Sequence, residues 1–361
     1  MPMNGFSPVS LLKQMIATPS VSREEKEVAD IIYGLLSDYG VSPNRIGNNV
    51  WAVQRDFDPA RPTLMLNSHI DTVRPVSGYT RDPFLPVVSD GKLYGLGSND
   101  AGASVVSLTA TFLNYFDKKT PVNILLALTA QEEVMGEGGM RMFLPYLEER
   151  GIIPVMALVG EPTGMDVAIG ERGLVVLDCI AHGRAGHVAR GEGENAIYKA
   201  IEDIARLRDF TFERESKLLG PITMAATMIS AGTQHNVVPD ECKFVVDIRT
   251  TDAYTNEETV KIVASKLKSD AMPRSTRVRA SAIDMEHPLV KAAVASGARP
   301  FVSPTTSDMA LMPDIPSIKM GPGQSSRSHK ADEYIVIEEI ENACVKYSTF
   351  IDNLMSYAVM E

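Results

Sequence analysis

Three runs of this chain, TLMLN (63–67), NILLALT (123–129) and VMALV (155–159), are apolar almost throughout and do not alternate. A strand without alternation needs cover on both faces, which is how parallel strands lie between layers of helices. Helical periodicity fills the gaps between them, in ASVVSLTATFLNYF and MRMFLPYLEERG. The segment SVSREEKEVADIIYGLLSDYG opens with Ser22 and carries Glu25 three positions on, which predicts a capping box ahead of Val28, Ile31, Ile32, Leu35 and Leu36. After about residue 284 the same style returns, with helix HPLVKAAVASG, strand SIKMG and a closing helix IEEIENACVKYSTFIDNLMSYAV. The expectation is an α/β fold whose mostly parallel sheet is flanked by helices.

Between residues 172 and 283 the pattern shifts to longer strands and amphipathic helices: GLVVLDCIAHG, NAIYKAIEDIARLRDF, TMAATMISAG, CKFVVDIRT and NEETVKIVASKLK. This reads as a smaller α+β domain inserted into the first, with 1–171 and 284–361 forming one domain and 172–283 the other. At 361 residues the chain has the length for both, and about three-quarters of its unfolded surface should be buried.

Composition narrows the function. Three dispersed cysteines make no disulfide framework, which points to a reducing compartment. The N-terminal stretch has no basic region leading into an apolar one, which argues against a secretory signal. No apolar run is long enough for a membrane span. Basic residues number 35 against 46 acidic ones and are unclustered, so nucleic acid is a poor partner. A cytoplasmic enzyme of small molecules is the expectation.

The chemistry lies at the strand ends. TLMLN runs into Ser68-His69-Ile70-Asp71, NILLALT into Gln131-Glu132-Glu133, VMALV into Gly160-Glu161, and SIKMG through Gly-Pro-Gly to Ser328-His329. Ligands of open α/β sheets gather beyond the carboxyl ends of the strands. A fifth group, Asp100, follows the turn Gly95-Leu96-Gly97-Ser98-Asn99. Imidazole and carboxylate without thiolate suit zinc, manganese or cobalt. Five such ligands are too many for one tetrahedral ion but suffice for two if one carboxylate bridges. Asp71, two residues from His69, is placed to accept its free imidazole N–H. Each piece alone reads as readily as a surface pair or a turn; the conjunction carries the weight.

Taken together, SHIDTV (68–73), DPF (82–84), LYGLGSNDAG (93–102), TAQEE (129–133), GEPT (160–163), GHVARGEGENAI (186–197), HNVVPDECKFVVDIR (235–249), TSD (306–308) and GPGQSSRSHKADEY (321–334) resemble a known family. It is that of the co-catalytic zinc amidohydrolases, which includes acetylornithine deacetylase, succinyl-diaminopimelate desuccinylase, aminoacylase and glutamate carboxypeptidase. The resemblance implies one metal on His69 and Glu161, another on Glu133 and His329, and Asp100 bridging them. It implies Glu132 as general base and Asp71 as the residue that orients His69. It further implies that the insert is a lid pairing two subunits into a homodimer, with His187 reaching the partner's site to stabilise the oxyanion. Arg249, Asn236, Thr306 and Gly323 would contact the substrate. Two departures stand out: Asp100-Ala101-Gly102-Ala103 lacks the lysine usual two residues after the aspartate, and Gly191 stands near the usual place of a proline.

The implied reaction is hydrolysis of an N-acyl-L-amino acid by activated water, with two divalent ions, zinc first. N-acetyl-L-ornithine in arginine biosynthesis is the favoured substrate, with N-acetylcitrulline, N-succinyl substrates and dipeptides as alternatives. A dinucleotide fold is disfavoured because Gly95-Leu96-Gly97 lacks a third glycine, Asp100 standing in its place. A serine hydrolase lacks its Gly-x-Ser-x-Gly elbow. A metal-free binding protein on this fold is the non-enzymatic alternative.

Overall fold

The computed structural model describes residues 5–358, so Val359, the last residue of the expected closing helix, lies outside them. The chain divides into two compact units. Among the described residues the first comprises 5–169, 283–301 and 307–358, and the second 170–282 and 302–306. The breaks fall within two residues of the expected 171/172 and 283/284. The short segment 302–306, expected in the first domain, belongs instead to the second unit.

In the first unit the central strands run in the order Asn49–Val53, Asn123–Thr129, Thr63–His69, Pro154–Val159, Ser317–Lys319. The last four pair in parallel, so their carboxyl ends emerge along one edge. Asn49–Val53 joins antiparallel on one side and Val167–Glu171 on the other, so the sheet is parallel at its heart and antiparallel at its flanks. The apolar runs behave as their composition demands. Every residue of Thr63–His69 and Asn123–Thr129 is buried. Met65, Leu125, Ala127 and Val159 pack with Phe143 and Leu147 of helix Met140–Glu148, and helix Ala103–Tyr115 packs against the same two strands.

A separate three-stranded sheet pairs Lys92–Tyr94 with both Val87–Ser89 and Tyr334–Val336. It draws the turn that carries Asp100 against the segment that carries His329.

The second unit is an antiparallel sheet ordered Thr223–Ala231, Glu241–Thr250, Gly173–His182, Asp270–Pro273. Alternate residues Val175, Leu177, Cys179, Phe244, Val246 and Ile248 are buried, the period-2 pattern of a sheet covered on one face. Helices Ala196–Asp209 and Asn256–Ala264 supply apolar partners to this core, and the latter carries a capping box formed by Thr255 and Glu258.

The capping box expected at Ser22 is absent. Its helix starts at Lys26 with Glu25 at the N-cap and no side-chain cap. Ser22 Oγ donates instead to Asp71 Oδ2 at 2.6 Å, because the chain at Val21 bridges to Thr72 and brings the hydroxyl to that carboxylate.

Candidate metal centre

The parallel strands deliver their terminal residues to one cluster. His69 ends its strand and is buried. Its Nδ1 lies 2.9 Å from the Asp71 main-chain carbonyl, which fixes that nitrogen as the N–H donor and leaves Nε2 to face the cluster. The Asp71 carboxylate is farther from the ring, at 3.5 Å. It accepts the main-chain N–H groups of Glu132 at 3.0 Å and Glu133 at 3.2 Å, together with the Ser22 hydroxyl. Asp71, expected to orient His69, thus meets the ring more closely through its carbonyl than through its carboxylate. Its carboxylate organises the Glu132-Glu133 turn, which follows Gln131 in left-handed backbone (φ 58°).

Asp100 stands between the two histidines. Its Oδ1 is 3.2 Å from His69 Nε2 and its Oδ2 is 3.6 Å from His329 Nε2. Glu161 Oε1 lies 3.5 Å from His69 Nε2, and Glu133 Oε2 lies 3.0 Å from His329 Nε2. Ligand atoms of His69, Asp100 and Glu133 fall within 4.8 Å of one another, as do those of His69, Glu132 and Glu161. His329 is half-exposed and adopts φ 58°, a left-handed conformation that costs a non-glycine residue about 1 kcal/mol or more.

Electrostatics agree with a cation cage. Burial first, then the charge of Asp100, pushes the Glu161 carboxyl up to about 8. Burial raises Glu132 well above the carboxylate range, with Glu161, Asp308 and Glu133 adding to it and His69 opposing. The hydrogen bond that the Glu133 carboxylate accepts leads in raising His329 to about 9. For His69 burial pulls downward, but Asp100, Asp71 and the charges of Glu132 and Glu161 outweigh it. Four carboxylates crowd two imidazoles, so bound protons or cations must balance them. Oxygen and nitrogen donors without thiolate fit divalent zinc, cobalt or manganese.

Sequence reading did not assign roles to several neighbours. Glu333, buried, accepts the N–H groups of Asn99 and Asp100 on one oxygen, at 2.8 and 2.9 Å. Asp308, also buried, accepts the Thr129 hydroxyl at 2.8 Å, and burial lifts its carboxyl to about 6. Both stand in quoted motifs, DEY and TSD, so only the direction of their contacts was missing. The absent lysine also has a local reason. A Cβ at Gly102 would sit 2.5 Å from the Gly97 carbonyl oxygen and 2.7 Å from Leu12 Cδ1, so this turn closes too tightly for a side chain there.

The remaining expected residues, apart from Gly323, lie in the second unit. His187 and Asn236 come together in a two-stranded ribbon, where His187 pairs with Val237 and the Asn236 carbonyl accepts the Val188 N–H at 3.2 Å. His187 is exposed, and its Nδ1 accepts the Ala189 N–H. Arg249 is engaged by Asp247 through two hydrogen bonds of 2.8 and 3.1 Å. Thr306 lies in the 302–306 segment. Gly323 lies in the first unit, against Asn99.

Residues 65–353 match the model of peptidase family M20/M25/M40, and the chain belongs to this family of hydrolases acting on amide bonds. A protein of Wolbachia pipientis named succinyl-diaminopimelate desuccinylase is 28% identical over 376 residues, covering 96% of this chain and 93% of that one. Among solved structures, a tripeptidase from Staphylococcus aureus superposes with a TM-score of 0.77 at 19% identity, over 99% of this chain and 100% of its own. A dinuclear metal binding peptidase from Bacillus subtilis gives 0.70 at 15% identity, over 95% and 96% of the two chains. Among the described residues no helix is long and apolar enough to cross a membrane.

Proposed function

We propose that this chain hydrolyses the amide of an N-acyl-L-amino acid with the help of two divalent ions, zinc first, which would both lean on Asp100 and would supply an activated water. The observation that carries this reading is the splayed Asp100 carboxylate, one oxygen toward His69 and the other toward His329. His69 and Glu161 would hold one ion, Glu133 and His329 the other. Such ions lower the pKa of water and polarise a carbonyl. Glu132 takes the water proton as hydroxide adds to the acyl carbon. It returns that proton to the nitrogen as the C–N bond breaks, releasing the carboxylic acid and the amine, between which the acid's proton then passes to give carboxylate and ammonium. His187 would donate to the oxyanion, and Arg249, Asn236, Thr306 and Gly323 would engage the substrate.

For the substrate we place an N-succinyl-diaminopimelate first, because relatives aligned over nearly the whole chain carry that name. N-acetyl-L-ornithine is the second reading, favoured by the sequence GEPT with Glu161 and by the GPG–SH–DEY ending. A second copy of the chain is the proposed partner. Strand Thr223–Ala231 is the outer edge of its sheet, exposed along nearly all its length, and an unpaired edge of this kind fits its own copy antiparallel. A panel of N-succinyl, N-acetyl and dipeptide substrates given to cobalt- or zinc-loaded enzyme tests the reading. A preference in kcat/KM of tenfold or more for an N-acyl amino acid supports it, and hydrolysis of dipeptides alone overturns it.

A further inference from the structure

Asp100 and His329 are far apart in sequence, and no strand pairing of the central sheet sets their separation. His69 and Glu161, by contrast, follow neighbouring parallel strands whose register places them. The small sheet that pairs Lys92–Tyr94 with Tyr334–Val336 brings the two segments together, and a small buried set of hydrogen bonds then ties the Asp100 turn to the His329 segment. Glu333 Oε1 accepts the N–H groups of both Asn99 and Asp100, at 2.8 and 2.9 Å. The Asn99 amide is spent entirely on the segment leading to His329. Its Oδ1 accepts the Gln324 N–H at 2.9 Å, and its Nδ2 donates to the Gln324 carbonyl at 3.1 Å and Ser328 Oγ at 3.2 Å. Asn99 and Glu333 are buried, so water is not at hand to replace these bonds. Gly323 makes the contact possible. It sits at φ +84°, and a Cβ there would lie 2.3 Å from Asn99 Oδ1.

We infer that Asn99 and Glu333 are positioning residues that form a brace selective for one of the two metal positions, the one framed by Asp100, Glu133 and His329. The other position would share Asp100 with it but takes its remaining ligands, His69 and Glu161, from the central sheet, and so leans less on the brace. The inference rests on the two-metal reading above. It also gives Gly323 a role in shaping the site, in addition to the substrate contact proposed for it.

The test is titration of chelator-stripped protein with Co²⁺ alone, followed by calorimetry and by visible absorption, with thermal unfolding as a check on folding. In Asn99→Ala and Glu333→Ala the first equivalent should bind within about threefold of wild type, while the second weakens by about 10–100-fold, the usual cost of losing support behind a ligand. Glu333→Gln keeps an oxygen able to accept both N–H groups and should stay within about threefold for both equivalents. Should Glu333→Ala not fold, Asn99→Ala and Gly323→Ala carry the same comparison. Equal weakening of both equivalents, or no weakening of either, overturns the brace. So does a Glu333→Gln as impaired as Glu333→Ala, since charge and not geometry would then be at work. A wild type that binds fewer than two Co²⁺ refutes the two-metal reading itself, and the brace falls with it.

Discussion

The main-chain N–H of Glu132 donates to Oδ1 of Asp71 at 3.0 Å. With the Glu133 N–H and the Ser22 hydroxyl on Oδ2, one carboxylate thereby fixes the turn that presents both the proposed base and a metal ligand. Asparagine at position 71 would turn one of these acceptors into a donor facing a donor. Asp71→Asn should lower kcat by about 10–100-fold and weaken Co²⁺ binding, because it disturbs Glu132 and Glu133 together. Steady-state kinetics with a parallel metal titration check this, and unchanged values in both would show the carboxylate to be dispensable.

Protons and cations compete for the same site, and that sets a pH dependence. Glu161 and Glu333, each raised to about 8, and His329, raised to about 9, bind protons more tightly folded than unfolded. Their stabilisation of the cation-free protein is present in full below their unfolded values and is lost as pH rises through 8 and 9. Asp71 and Asp100, held below the ordinary aspartate value, act oppositely and lose their contribution in acid. The Tm of chelator-stripped protein should therefore fall from about pH 6 to about pH 9. Saturating Co²⁺ should flatten that decline, since ions then replace the protons. Thermal scans across this range decide it; a Tm that climbs with pH in the stripped protein would contradict the assigned crowding of carboxylates.

Dimerisation through the second unit has its own measurement. Met228 and Ile229 are 65% and 56% exposed on the edge strand Thr223–Ala231. Ile229→Pro and Met228→Lys place a proline and a charge on that strand, two devices by which edge strands resist pairing. Sedimentation equilibrium should give a dimer for the native chain and at least a tenfold weaker one for the double variant. A native monomer at micromolar concentration would dismiss the second copy as partner.

The parts of the fold and site that the sequence made visible share one property: their signal is local and repeats. Continuous apolar runs marked the buried strands, and the residues just beyond them, His69, Glu132, Glu133 and Glu161, were placed by the parallel pairing. Contacts between remote segments left no such trace. Ser22 and Glu25 have the spacing of a cap, yet Asp71, 49 positions away, takes the hydroxyl. Glu333 acts through main-chain N–H groups 233 and 234 positions distant, and no residue pattern announces an acceptor of backbone donors. The 302–306 segment resembles its neighbours in composition, and only its contacts assign it to the second unit. Arg249 was named only through the family resemblance, and its engagement by Asp247 is the ordinary pairing of a strand-end arginine with an acid.

The central claim is that Asp100 joins two cations while Glu132 handles the proton. Metal content and turnover measured together on wild type and Glu132→Gln test it most directly. Both proteins should carry about two divalent ions per chain, while turnover in the variant drops by about 10²–10⁴-fold. One ion or fewer per wild-type chain, or a Glu132→Gln variant that still turns over at the native rate, would contradict it.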